Sequence, residues 1–337
     1  MANLTTKYLG LELKSPIIAG ASNLVMDIEK VKKMQEAGAG AIVYKSLFEE
    51  QIQLERLQLD EELNEYNERH AEMINLFPNL EHAGATEYLM NIRKLKEVLT
   101  IPLIVSLNAI YEESWTEYAT AIEEAGADAI ELNFYAIPGD FNREEKDIVN
   151  EQLDVIDRVK KSLRIPVSVK LSPFYSNVLN VVQKMYYEGA DGFVLFNRLF
   201  QPDIDVDQEI HHFPYNLSNE EDNLLLIRYA GLMYGETRGD ICANTGIFTG
   251  KDVVKMLLAG ANCVQVVSTL YKNGIEHLRT MNTDIEAWMT AHNYATIDDF
   301  RGKLSRKNMK DPFVYKRAQY VDILMKSEEI FKKYPMV

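Results

Sequence analysis

Four stretches of the chain share one pattern, in which an amphipathic segment reaches a glycine and then enters a short apolar run. They are EAGAGAIVYK (36–45), EAGADAIELN (124–133), YEGADGFVLFN (187–197) and LAGANCVQVV (258–267). Glycine ends a helix at such a point because it accepts the positive φ of a C-cap. The apolar runs do not alternate with polar residues, which predicts parallel strands buried on both faces. Two more strands follow Ile-Pro, IPLIVSLN (101–108) and IPVSVKLSP (165–173). Proline blocks continuation of the preceding helix yet is tolerated at a strand start. SPIIAG (15–20) and DICANTG (240–246) complete a set of eight, near 17, 42, 103, 130, 167, 193, 241 and 264. Eight β-α units in one continuous array predict a (β/α)8 TIM barrel. A doubly wound sheet is the competing architecture, but no GxGxxG turn is present to mark one.

Four segments fall outside that repeat. LTTKYLGLELK, around Gly10, alternates like a small N-terminal β-hairpin and is placed to close the bottom of the barrel. Long loops follow strands two and six, at 47–83 and 198–223, the first acidic and partly helical, the second without clear periodicity at first. Both leave C-terminal strand ends, so both are expected over the mouth. The C-terminal segment 306–337 reads, from DPFVYKRAQYVDILMKSEEI (311–330) onward, as a helical tail packed outside the barrel. No linker or low-complexity run divides residues 1–337, so one domain is expected.

Composition narrows the function. Lys plus Arg number 36 against 51 Asp plus Glu, a net charge of −15. That background opposes general nucleic-acid binding, which needs a Lys/Arg stripe to displace counterions. Cys242 and Cys263 are the only cysteines, too few for a disulfide scaffold or an iron–sulfur cluster. The N-terminus lacks a signal-peptide pattern, and no run reaches the roughly 18 apolar residues of a membrane span. A cytoplasmic protein acting on a small molecule, with no membrane or nucleic-acid partner, is the expectation.

In a barrel of this kind the C-terminal strand ends face the mouth. Here they carry Lys45-Ser46, Ser106 and Asn108, Asn133, Lys170, Asn197, Asn244 and Ser268-Thr269. Two lysines and four asparagines with few carboxylates do not make a glycosidase pair. No His/Asp/Cys cluster marks a metal site, and His211-His212 lie in a loop. Asparagine both donates and accepts, and lysine stabilises developing negative charge. Such a set suits a neutral, planar, polar ligand that gains negative charge during reaction; a flavin ring is compatible with it and not demanded by it. Lys170 is a costly residue at a tight barrel strand end without a partner, and function is favoured over a plain salt bridge there.

Strands seven and eight suggest a phosphate site. ANTGIFTGKDVVKML (243–257) turns through Gly246 and Gly250 into a helix, and VQVVSTLYKNG (264–274) places Ser268 and Thr269 at a second turn. Barrel phosphate sites commonly lie after these two strands. Backbone N–H groups of Gly246, Ile247, Ser268 and Thr269 are the candidate donors. Tyr135, just past strand four, is placed to stack, hydrogen-bond or donate a proton, or else to pack under its own turn.

These residues together resemble the dihydroorotate dehydrogenase family, FMN enzymes built as (β/α)8 barrels. The likeness is nearest to the soluble class 1 branch and the related domain of dihydropyrimidine dehydrogenases, and it covers roughly residues 4–305. GLELKSPIIAGAS is similar to the family's opening, which leads to the first strand and the flavin at Ala21. YKS (44–46) resembles its Lys-Thr/Ser at strand two, and ELN (131–133) the start of its strand-four motif. VKLSP resembles its Val-Lys-Leu-x-Pro, Asn197 its strand-six asparagine, and NTGIFTGKDVVKMLLAGANCVQVVSTLYKNG its paired phosphate motifs. The resemblance implies FMN held by Ala21, Lys45, Ser46, Asn108, Asn133, Lys170, Asn197, Asn244, Gly246, Ile247, Ser268 and Thr269, with Lys170 beside the flavin N1. Homodimerisation is a family expectation, and the electron-transfer partner is not identified by sequence.

The departures concern the substrate half. The family continues its strand-four motif as Leu-Asn-x-Ser-Cys-Pro-Asn, or with Ser for the catalytic Cys. This chain reads Leu132, Asn133, Phe134, Tyr135, Ala136, Ile137, Pro138, so Ala136 stands at the base position. Arg198 follows Asn197 where the family has Ser or Thr, and favours a substrate bearing carboxylate or phosphate. Tyr135, Lys170 and Arg198 are therefore the catalytic candidates. Three readings stay open: an FMN oxidoreductase with a small anionic substrate other than dihydroorotate, a genuine dihydroorotate dehydrogenase with a displaced base, and a non-catalytic flavin-binding barrel.

Overall fold

The computed structural model describes residues 2–49, 83–109, 112–134, 139–198, 202–212, 217–316, 318–326, 328 and 332. The chain enters through an antiparallel hairpin, β1 (Thr6–Tyr8) and β2 (Leu11–Leu13), with Thr6 opposite Leu13 and Tyr8 opposite Leu11. Its two turn residues, Leu9 and Gly10, both have positive φ, +55° and +74°. That is the primed turn whose twist matches a two-residue hairpin. Leu9 is held there by its buried side chain and by its N–H, which donates to Asp240 Oδ2 at 2.7 Å.

The eight apolar runs all form strands: β3 (Ile17–Ala19), β4 (Ala41–Phe48), β5 (Leu103–Asn108), β6 (Ala129–Asn133), β7 (Val167–Leu171), β8 (Gly192–Leu195), β11 (Asp240–Asn244) and β12 (Cys263–Val266). Between β8 and β11 lies a second hairpin, β9 (Asp203–Asp205) and β10 (Ile210–His212). The eight pair in parallel and close into a barrel, β12 returning to β3 through Val264–Ile17 and Val266–Ala19. The (β/α)8 architecture expected from the repeat is the one observed.

Helices α1 (Ile28–Glu36), α2 (Ala83–Val98), α3 (Glu112–Glu124), α4 (Glu145–Ser162), α5 (Val178–Tyr187), α6 (Leu224–Met233) and α7 (Gly250–Ala259) connect successive strands. After β12 come α8 (Ser268–Asn273) and α9 (His277–Ala291), and beyond them the short helix α10 (Ala318–Met325). The helices bury one stripe each, such as Val149, Val155, Ile156 and Val159 of α4. Against them lie the outward residues of the strands, such as Ile130 and Leu132, or Val167, Val169 and Leu171. Because strand side chains alternate, the residues between them point into the barrel.

The inward residues form two unlike tiers. The lower tier is apolar and includes Ile18, Ala41, Val43, Ile104, Ala129, Val194, Cys242 and Cys263, with Tyr8, Leu9 and Leu13 of the hairpin seated against them. The hairpin thus closes the bottom, as its sequence pattern predicts. Gly192 makes room for it, since a Cβ there would lie 2.7 Å from Leu9 Cδ2. The two free cysteines face each other in register inside this tier. The upper tier is polar and holds the candidate site.

One connection holds structure that its sequence pattern does not announce. The loop after β8, whose sequence shows no clear periodicity at first, contains the β9–β10 hairpin. Its residues are largely exposed, so hydrophobic alternation is not its cause. The Asp205 side chain accepts from the N–H groups of Asp207 and Gln208, each at 3.0 Å, an Asx turn that reverses the chain by local hydrogen bonding. Of the acidic loop after β4, residues 50–82 lie outside the described residues.

Candidate active site

The site begins with an irregularity in β4. Its register against β5 slips between Tyr44 and Leu47. Tyr44 packs outward against Tyr88, with ring centroids 5.1 Å apart. Two residues on, Ser46 already points inward, its Oγ 2.7 Å from Ser106 Oγ. The bulge therefore brings Ser46 to the same interior as Lys45, which continues the inward row of Ala41 and Val43. Lys45 is half-buried; its carbonyl accepts from the Tyr88 hydroxyl at 2.5 Å.

The centre of the polar tier is Glu131, only 1% exposed. Its Oε1 lies 3.8 Å from Lys170 Nζ and 3.5 Å from Ser106 Oγ. Its Oε2 accepts from Gln265 Nε2 at 2.5 Å. A carboxylate only accepts, so this bond fixes which way the Gln265 amide faces. Gln265 Oε1 is left buried with no hydrogen-bond partner. Above Glu131 runs a ladder of amides. Asn108 Nδ2 donates to the Asn133 carbonyl at 2.7 Å, and Asn197 Nδ2 to Asn133 Oδ1 at 2.6 Å. Asn133 Nδ2 in turn reaches Ser46 Oγ at 3.4 Å. Asn244 Nδ2 donates to the Phe196 carbonyl at 2.9 Å. Strand ends far apart in sequence are thus tied into one network.

The turn after β11 is conformationally demanding. Thr245 has φ +100° and Gly246 φ +71°. A β-branched residue in that region is strained and persists only where its surroundings hold it. Here the Thr245 hydroxyl donates to the Phe196 carbonyl at 3.2 Å. A Cβ on Gly246 would sit 2.6 Å from the Asn223 backbone nitrogen. The Gly246 N–H donates to Ser218 Oγ at 3.3 Å, and that hydroxyl is 2.8 Å from Ser268 Oγ. Asp252 stabilises the turn from below, accepting from Phe248 N–H, Thr249 and Lys255. Burial opposes its charge, but these donors prevail and hold its carboxyl below the usual carboxylate range. Ser268 and Thr269 open α8, so their N–H groups have no intrahelical acceptor. The Thr269 hydroxyl is fully buried and donates to the Phe248 carbonyl at 3.2 Å, which leaves only its backbone for a ligand.

A cavity of about 170 Å³ opens at this point, bounded by Ala21, Lys170, Asn197, Arg198, Asn244 and Gln265 and by the turns Thr245–Ile247 and Val267–Ser268. Arg198 Nε lies 3.5 Å from Asp222 Oδ2. The structure thus brings together Ala21, Lys170, Asn197, Arg198, Asn244, Gly246, Ile247 and Ser268 in one lining, with Ser46, Asn108 and Asn133 linked through hydrogen bonds. Tyr135, Ala136 and Pro138 lie outside the described residues. A larger groove of about 420 Å³, between α5 and the end of α6, contains no strand-end residue and no part of this network.

Three polar residues of this tier are absent from the set that strand ends alone suggest. Glu131 and Gln265 stand inside apolar strands, each on the inward row: Glu131 two places before Asn133, Gln265 two places after Cys263. A polar residue breaking an apolar strand at an even spacing from an inward neighbour is the signal that marks them. Ser218 lies 28 residues from Gly246 in sequence, and no local pattern announces their contact.

The fold and the lining define a (β/α)8 barrel with a polar ligand cavity at the carboxyl ends of its strands. The profile of the dihydroorotate dehydrogenase family matches residues 3–289, and the chain belongs to that oxidoreductase family. It is 28% identical over 310 residues to the dihydroorotate dehydrogenase B (NAD(+)), catalytic subunit, of Thermoplasma volcanium, covering 90% of this chain and 98% of that one. It is 25% identical over 290 residues to dihydroorotate dehydrogenase A (fumarate) of Lactobacillus delbrueckii subsp. bulgaricus, covering 81% and 89%. Chloroplastic dihydropyrimidine dehydrogenase (NADP(+)) of Arabidopsis thaliana is 24% identical over 219 residues, covering 59% of this chain and 51% of that one. Among the described residues no helix is long and apolar enough to cross a membrane.

Proposed function

We propose that the chain is an FMN-dependent oxidoreductase that moves a hydride between the flavin and a small anionic substrate other than dihydroorotate. The observation that carries the FMN assignment is the buried, unpartnered Gln265 Oε1 beside Lys170 and the asparagine ladder, at the edge of the cavity. A buried acceptor without a donor is costly and calls for a ligand with N–H groups at its edge. The edge of a flavin's pyrimidine ring has such a donor and carbonyl acceptors, which match Gln265 and the Asn and Lys donors in kind. Ala21, Lys45, Ser46, Asn108, Asn133, Lys170, Asn197 and Asn244 would hold the ring. The backbone groups of Gly246, Ile247, Ser268 and Thr269 would hold its phosphate. The Gly246 N–H donates to Ser218 Oγ, which in turn donates to Ser268 Oγ, so the two turns converge on one point beside the cavity, which supports that reading. FMN, when bound, supplies the hydride acceptor and donor.

The substrate half rests on Ala136 and Arg198. Alanine takes no proton, so the C5 proton of dihydroorotate has no acceptor at the family's usual place. Arg198 at the cavity favours a carboxylate or phosphate on the substrate. Tyr135 is the candidate proton donor for reducing an activated double bond, since an ordinary phenol titrates near pH 10 and is a better acid than base here. The family match favours the second reading, true dihydroorotate oxidation with a displaced base. One experiment decides. The visible spectrum of freshly purified protein should show flavin bands that anaerobic dihydroorotate leaves intact. Bleaching by dihydroorotate would establish the second reading. A colourless protein that also fails to take up added FMN would overturn both.

A further inference from the structure

The polar tier contains one buried carboxylate that touches a lysine of the site, and the cavity lining holds two cations and no carboxylate. We infer that Glu131 is a positioning residue for Lys170, and that the charge balance of this pair sets how readily the bound flavin accepts electrons. The inference rests on the FMN reading. Glu131 is 1% exposed, and the Lys170 side chain 11%. An ammonium so nearly removed from water needs a counter-charge, and Glu131 Oε1 at 3.8 Å supplies it. Glu131 cannot swing away, because Gln265 Nε2 at 2.5 Å and Ser106 Oγ at 3.5 Å hold its two oxygens. The β6–β7 register places Glu131 opposite Ser168, one inward step below Lys170. Lys170 thus stands between the carboxylate and the cavity.

A ligand that gains negative charge in the cavity is attracted by Lys170 and repelled by Glu131. In a buried site neither effect is fully screened. Glu131 therefore moderates the preference of Lys170 for the reduced, more negative ring while keeping its ammonium in place. A wholly structural Glu131 would change the affinity for both oxidation states of FMN alike and leave the potential where it was.

The test is the flavin midpoint potential of FMN-loaded protein, measured by reductive titration against a reference dye. Wild type is compared with Glu131→Gln, Lys170→Met and the double variant. Glu131→Gln should favour the reduced flavin about tenfold, an upward shift of about 30 mV for a two-electron couple. Lys170→Met should shift the potential downward, and the double variant should fall between the two singles. Glu131→Asp, which keeps the charge, should return towards wild type. If Glu131→Gln does not fold, the double variant against Lys170→Met carries the same sign, because both lack the ammonium. A potential unmoved by loss of the Glu131 charge, while Lys170→Met moves it, overturns the inference and leaves the FMN assignment standing. A wild type that binds no FMN overturns both.

Discussion

The two tiers inside this barrel are built on the same strands, two residues apart, and behave as different materials. Below, Leu13, Ile18, Val43, Cys242 and Cys263 form an apolar floor sealed by the hairpin. Above, Ser106, Glu131, Lys170 and Gln265 form a hydrogen-bonded layer beside a cavity. On β6 the change takes one inward step, from Ala129 to Glu131, and on β12 one step, from Cys263 to Gln265. The floor is apolar but for the Tyr8 hydroxyl, which is also buried without a hydrogen-bond partner but lies outside the cavity lining. The upper tier retains a buried acceptor that the protein does not satisfy. If the upper tier holds FMN as proposed, stability and binding are separable along the barrel axis.

The largest effect should come from breaking the floor. Leu13 is fully buried, and Leu13→Ala should cost about 2–5 kcal/mol, the range for truncating a core leucine. Chemical denaturation would read the loss. FMN affinity of the folded fraction should stay within about twofold of wild type, a factor worth under about 0.5 kcal/mol. A large affinity loss would show that the tiers are coupled.

Gly246→Ala probes the opposite end. Its φ of +71° and the 2.6 Å approach to the Asn223 nitrogen oppose a side chain. A stability loss of about 1–3 kcal/mol is expected from the strained turn. FMN affinity should fall at least tenfold, or about 1.4 kcal/mol. Isothermal titration with FMN separates the two; unchanged affinity would remove this turn from the phosphate site.

The smallest and sharpest contrast is one of pH. Asp240, at the floor, has its carboxyl pushed up by burial, against the pull of Leu9 N–H, Arg301 and Asn262. Asp252, at the upper turn, has its carboxyl held down. A raised carboxyl contributes stability that is fully present below its unfolded value, near 3.9, and is lost as pH rises through the folded one. A lowered carboxyl does the reverse: its stability is present above the unfolded value and is lost as pH falls through the folded one. Relative to wild type, Asp240→Asn should therefore gain stability as pH rises above about 4, and Asp252→Asn should gain it as pH falls below about 4. Thermal midpoints across pH 3 to about 6 would show the two difference curves sloping in opposite senses. Parallel curves would refute this contrast between floor and turn.

Much of this architecture is legible in the amino-acid order alone. Four glycine-punctuated runs, two runs after Ile-Pro, and SPIIAG and DICANTG mark all eight strands, because strands buried on both faces are largely apolar. The plug is legible because Leu9-Gly10 is flanked by alternating residues. Among the site residues, Lys170, Asn197, Asn244 and Gly246 are visible as polar or turn residues at strand ends. The β9–β10 hairpin is not, since a side-chain hydrogen bond from Asp205, and no hydrophobic pattern, creates it.

The local sequence by itself determined where strands start and stop and which residues sit at the mouth, because period and turn chemistry are properties of neighbouring residues. Only the tertiary structure decided that Glu131 of β6, Lys170 of β7 and Gln265 of β12 meet. It also decided that the bulge in β4 turns Ser46 inward, and that Ser218 bridges the turns after β11 and β12. Those contacts depend on barrel closure and strand register. These fix distances between residues more than a hundred places apart, such as Glu131 and Gln265, which no local pattern encodes.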